Sequence, residues 1–162
     1  MEVPNGILFF PSGITELQEG GVAEWIAEAD DSPATFSGDK LPAAARSLVD
    51  ELNRRYPVTP SLEPRCCIVA PCFPQEPVEL NTNRSSSGSH EDIFAFWCFG
   101  SHCSARFWRE DHSFDLALPP HSLCILKGPA LRDWQCAVLA LEGPCHLVAL
   151  SASTQKSSSS AV

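Results

Sequence analysis

His90, Glu91 and Asp92 set an imidazole and a carboxylate two residues apart, directly before an apolar run that begins at Ile93. Alternate residues of an extended chain point the same way, so His90 and Asp92 can face one point. A ring nitrogen and a carboxylate oxygen on one side suit a divalent metal. The triplet is short and common, and its plain alternative is a loop histidine beside a turn aspartate. Other groups could do chemistry too. Cys66, Cys67, Cys72, Cys98, His102 and Cys103 are zinc-ligand types, although no C-x-x-C spacing occurs among the eight cysteines. Cys145 and His146 pair a nucleophile with a base, but neighbours on a strand point to opposite faces. His112 and His121 fall in expected turns and are read as solvated, and the four tryptophans, 25, 97, 108 and 134, as core.

Charge narrows the partners. Eleven basic residues against twenty acidic ones leave a net charge of −9. Nucleic-acid affinity comes mainly from Lys and Arg neutralising phosphates, so there is no strong nucleic-acid signature. Arg106, Arg109 and Lys127 offer at most a local basic patch, and scattered solvated charge is the simpler reading. No apolar stretch approaches the roughly 20 residues of a membrane helix. The opening MEVPNGILFFPSG lacks a basic region and a long apolar run, so no secretory leader is expected. An intracellular protein with reduced, buried thiols follows as the expectation.

The elements that must position these groups are short. Fourteen prolines and nine glycines cut a chain of 162 residues that is 44% hydrophobic, enough for a single core-bearing domain. Residues 2–10 contain one short strand. Residues 15–29 can form a helix with capping-box spacing at Thr15 and Gln18 and a face of Leu17, Val22, Trp25 and Ile26, weakened by Gly20 and Gly21. Residues 30–40 read as a loop. Residues 41–56 are the best helix, with Pro42 in the first turn and a stripe of Ala45, Leu48, Val49, Leu52 and Tyr56. A buried strand is expected within 65–73, then a polar, turn-rich stretch over 74–89 whose Ser-rich end, 85–89, is a mobile loop. Strands follow at 93–99, 103–108, 114–118, 123–126, 136–141 and 146–150, at a spacing that favours a sandwich or barrel. Residues 1–152 form the domain, and 153–162 form a disordered Ser-rich tail.

Residues 90–151 resemble the AlkB-like Fe(II)/2-oxoglutarate dioxygenases. The resemblance rests on His90-Glu91-Asp92, on IFAFWCFGSHCSARF at 93–107, and on PPHSLCILKGPALRDWQCAV at 119–138. In the last of these segments Ser122, Leu123, Ile125, Leu126, Gly128, Ala130 and Trp134 fall in place. It implies a mainly β (α+β) fold, a double-stranded β-helix or jelly roll flanked by one or two N-terminal helices. It also implies Fe(II) and 2-oxoglutarate as cofactors. Two histidines and a carboxylate hold iron in such oxygenases. Here the metal set becomes His90, Asp92 and Cys136, with Cys136 at the place of the distal histidine. Leu123 and Ile125 would face the barrel interior, Gly128 would allow a tight turn, and Trp134 would pack over the strand that presents the distal ligand.

The departures bear on function. Leu131 stands where the family has an arginine. The last strand, CHLVALSAS, lacks the arginine that pairs with the far carboxylate of 2-oxoglutarate, a role suited to a planar fork. Arg106, Arg109 or Arg132 would have to reach in from neighbouring strands. The family spacer between H-x-D and the next strand is missing, because Ile93 follows Asp92 directly. Three readings result: an oxygenase with degenerate activity toward a modified base, protein or small molecule; an inactive jelly roll that binds or scaffolds; and a thiol-rich zinc protein.

Overall fold

A computed structural model describes residues 6–12, 14, 16–28, 34–37, 40–57, 62–80 and 92–153. Among the described residues, ten strands and three helices run in the order β1 (Ile7–Phe10), α1 (Glu16–Glu28), β2 (Ala34–Ser37), α2 (Ala43–Arg55), β3 (Glu63–Cys72), β4 (Val78–Leu80), β5 (Asp92–Phe99), β6 (Cys103–Arg109), β7 (His112–Leu118), β8 (Leu123–Lys127), α3 (Pro129–Arg132), β9 (Gln135–Ala140) and β10 (Cys145–Ser153). They make two antiparallel sheets, one of six strands ordered β1-β8-β5-β10-β3-β2 and one of four ordered β4-β9-β6-β7. This is the mainly β jelly roll that the strand spacing and the resemblance imply.

The six-stranded sheet is buried on both faces, which explains its near-continuous apolar strands. In β5, Ile93, Ala95, Trp97 and Phe99 pack with Val22, Ile26, Leu48 and Leu52 of α1 and α2. Phe94, Phe96 and Cys98 turn the other way, into the space between the sheets. The same alternation divides β8 and corrects an expectation. Leu123 and Ile125 belong to the helix side, and Cys124 and Leu126 face the other sheet. With both faces buried, apolarity alone does not say which set looks inward.

Two strands lie where loops are expected. β2, within 30–40, pairs with β3 through Phe36↔Cys67. β4, within 74–89, pairs with β9 through Leu80↔Cys136. Each is three or four residues long, too short to show a period. α1 runs through Gly20 and Gly21. Val22 is fully buried and Ile26 nearly so, and tertiary burial of this kind outweighs weak propensity. β10 extends through Ser153. The loop expected at 85–89 and the tail from 154 lie outside the described residues.

Candidate functional site

Cys136 lies in β9, in register with Leu80 of β4 and Phe107 of β6. Its side chain is 3% exposed and belongs to the core between the sheets. Burial pushes this thiol well above its ordinary pKa, and the neighbouring Cys124 and Cys98 push the same way. Burial thus disfavours the thiolate that a metal ligand would have to be. Aromatic rings cover this end of β9. Phe107 meets Phe114 at 5.1 Å between ring centroids, and Phe114 meets Trp134 at 5.8 Å. Trp134 thus packs beside the start of the strand that carries Cys136, as the sequence suggests.

His90 lies outside the described residues. Asp92 opens β5 opposite Ser153 of β10, and its side chain is likewise outside the description. Strand direction places the start of β5 toward the end where Cys136 sits. Phe99 and Cys103 are joined by a short turn, so β5 begins where β6 finishes, and β6 pairs with Cys136 there.

The arginines do not supply the missing cation. Arg106 points to the outer face of the four-stranded sheet, where Nε donates to Asp115 at 2.8 Å. Its second bond, from a terminal nitrogen, is 3.2 Å. Arg109 stacks over the Trp134 ring at 5.5 Å. Arg132 is exposed on α3, and Leu131 is buried beside it. Lys127 sits over the Tyr56 ring at 5.2 Å. The three cations of the possible basic patch are thus spread over different faces. Gly128 has φ of 59°, so its contribution is the left-handed backbone rather than a close approach.

The zinc-type residues are also divided. Cys67 packs on the helix side, and burial lifts its thiol to about 12. Cys72, Cys98 and Cys103 face the other sheet, and His102 is exposed, 4.0 Å from Glu142. Among the described residues, no three His, Cys, Asp or Glu side chains gather as a metal would require. A thiol buried among aromatic and aliphatic side chains is a poor match for Fe(II), and the described surroundings offer no cation for a dicarboxylate. A groove of about 490 Å³ lies elsewhere, on the outer face of the four-stranded sheet between Trp108, Leu139 and Leu141.

Solved structures with this arrangement of sheets decide the fold. An oxidoreductase of the 2OG-Fe(II) oxygenase family from Burkholderia pseudomallei superposes with a TM-score of 0.67 at 8% identity, over 93% of this chain and 86% of that one. The chain has the 2OG-Fe(II) oxygenase fold. OsALKBH1 matches with a TM-score of 0.62 at 10% identity, over 93% of this chain and 100% of that chain. A Pseudomonas putida prolyl-4-hydroxylase matches at 0.60 and 11% identity, over 90% and 87% of the two chains. No protein-family profile and no curated protein matches the sequence. At these identities the likeness is one of fold, and the residues of this 2OG-Fe(II) oxygenase fold carry the functional reading.

Proposed function

We propose that this chain is a non-catalytic module of the 2OG-Fe(II) oxygenase fold, an AlkB-like pseudoenzyme that binds a partner instead of turning over 2-oxoglutarate. One observation carries the reading. Cys136, which the resemblance sets at the place of the distal iron ligand, is a buried thiol in the core between the sheets, where burial disfavours its thiolate. The net charge of −9 favours a protein or small-molecule partner over nucleic acid. No described helix is long and apolar enough to cross a membrane. Eight free cysteines fit an intracellular, reducing setting.

The competing reading is an oxygenase in which His90, Asp92 and Cys136 hold Fe(II), with 2-oxoglutarate as co-substrate. The fold favours it. The two are separated by measuring succinate formed from 2-oxoglutarate with Fe(II) and ascorbate, in the wild type, Cys136→His and Asp92→Ala. Baseline succinate from the wild type and Cys136→His, with a retained β spectrum, is expected. Robust wild-type turnover that Asp92→Ala abolishes would restore the enzyme.

A further inference from the structure

At the end of the sandwich opposite Cys136, four cysteines meet. Cys72 ends β3, Cys98 lies near the end of β5, Cys103 begins β6 and Cys145 begins β10. All four are buried, none more than 3% exposed. Cys145 is in register with Cys72 in the six-stranded sheet. Cys103 belongs to the other sheet, yet its sulfur lies 2.9 Å from that of Cys145. That is roughly 0.9 Å longer than a disulfide bond. It is also shorter than the roughly 3.8 Å between sulfurs that share a tetrahedral zinc with 2.3 Å bonds. The pair is spaced for bonding to each other rather than for holding an ion.

The backbone holds this spacing. The turn after β5 and the turn after β9 are stapled together: Ser101 Oγ donates to the Gly143 carbonyl at 2.9 Å, and the Leu141 amide donates to the His102 carbonyl at 2.9 Å. Gly100 has φ of +117°, and a Cβ there would lie 3.2 Å from both Cα and Cβ of Cys145. The turn leading to Cys103 therefore approaches Cys145 closely, with a residue that carries no side chain at the contact. Both cysteines border turn residues, with Pro144 before Cys145 and exposed His102 before Cys103.

We propose that Cys103 and Cys145 form an oxidisable dithiol that takes hydrogen peroxide and closes to a disulfide between the two sheets. Cys145 is the attacking sulfur. Cys103 and Cys72 both hydrogen-bond to it, and these bonds, with His146 alongside, draw its thiol down in pKa. Cys103 and Cys72 are pushed up in turn. The Cys145 sulfur bonds to one peroxide oxygen as the O–O bond breaks. The departing hydroxide takes the proton released from Cys145 and leaves as water. Cys103 then attacks the sulfur of the Cys145 sulfenic acid, the S–O bond breaks, and the second water carries off the Cys103 proton. Two thiols lose two electrons to one peroxide and yield one disulfide and two waters. A thiol reductant reverses the change by exchange.

The test uses the full chain, folded, treated with graded hydrogen peroxide. It is then denatured and alkylated without reduction, and its cross-linked peptides are mapped by mass spectrometry. Loss of two alkylatable thiols, a Cys103–Cys145 linked peptide and its disappearance after dithiothreitol are expected. Cys103→Ala should lose the link, and Cys66→Ala, at a cysteine outside the cluster, should keep it. The wild-type map stands even where a variant fails to fold. Eight alkylatable thiols after peroxide, a link between other cysteines, or sulfinic acid at Cys145 without a link would each overturn the proposal.

Discussion

Cys136 and Glu51 show how the same burial produces opposite chemistry according to what is nearby. Among the described residues Cys136 packs with apolar groups and other thiols, and burial favours its neutral form. In the folded protein at pH 8, Cys136 is expected to resist iodoacetamide while the half-buried Cys66 reacts. Rapid labelling of Cys136 would contradict its assignment as a core thiol. Glu51 is 1% exposed on α2 but binds Arg54, and also the Arg55 Nε at 2.5 Å. Burial pushes its carboxyl up, yet the bonds to Arg55 and Arg54 outweigh this and hold it below the ordinary 4.5. A lowered folded pKa contributes stability that is present above the unfolded value and is lost as pH falls through the folded one. Glu51→Gln is therefore expected to cost about 1–3 kcal/mol near neutrality, with the gap to wild type narrowing below about pH 4. Urea unfolding across pH measures it, and a pH-independent gap would remove the ionic explanation. The resemblance marked Cys136 as a position without revealing its surroundings, which include Phe107, Cys124 and Leu80 on three other strands.

Elements with a clear period were legible and short ones were not. The stripe of Ala45, Leu48, Val49 and Leu52 marks α2 from sequence, and those residues are its buried face. β2 and β4 were not legible, because a three- or four-residue edge strand exists only through pairing with β3 or β9. Gly20 and Gly21 argued against α1 on propensity, and the helix forms regardless. Their Cβ positions are open, with nothing within 4 Å. Gly20→Ala and Gly21→Ala are each expected to stabilise the fold by about 0.5–1 kcal/mol. A loss of stability in thermal or urea unfolding would mean that α1 needs those glycines for another reason. The two turns that bring Cys103 to Cys145 join residues 42 apart. Chain-entropy arguments give a cross-link closing such a loop about 4 kcal/mol. The peroxide-treated chain should thus unfold at higher urea than the reduced chain, and a lower midpoint would show that the bond strains the sandwich.

At the scale of the molecule, the six-stranded sheet is a double-sided wall between two helices and a second sheet. Both of its faces are buried. Phe94, Phe96, Leu126 and Leu147 fill the inter-sheet side, and Trp97, Ile125 and Leu150 the helix side. The strand spacing of about 8–12 residues and the resemblance over 90–151 both pointed to this sandwich. Which of two apolar faces looks into the barrel was beyond reach, as Leu123 and Ile125 show. The absence of arginine from the last strand was legible, and the resemblance set Cys136 where the family has a histidine. Placement of Arg106, Arg109 and Arg132 away from the interior needed the structure. The wild type, held anaerobically, can be titrated calorimetrically with Mn(II) as a stand-in for Fe(II), in the presence of 2-oxoglutarate. A non-catalytic module should give no saturable heat from the metal, and none from 2-oxoglutarate in the metal's presence. Saturable 1:1 binding of both, lost together in His90→Ala, would contradict it.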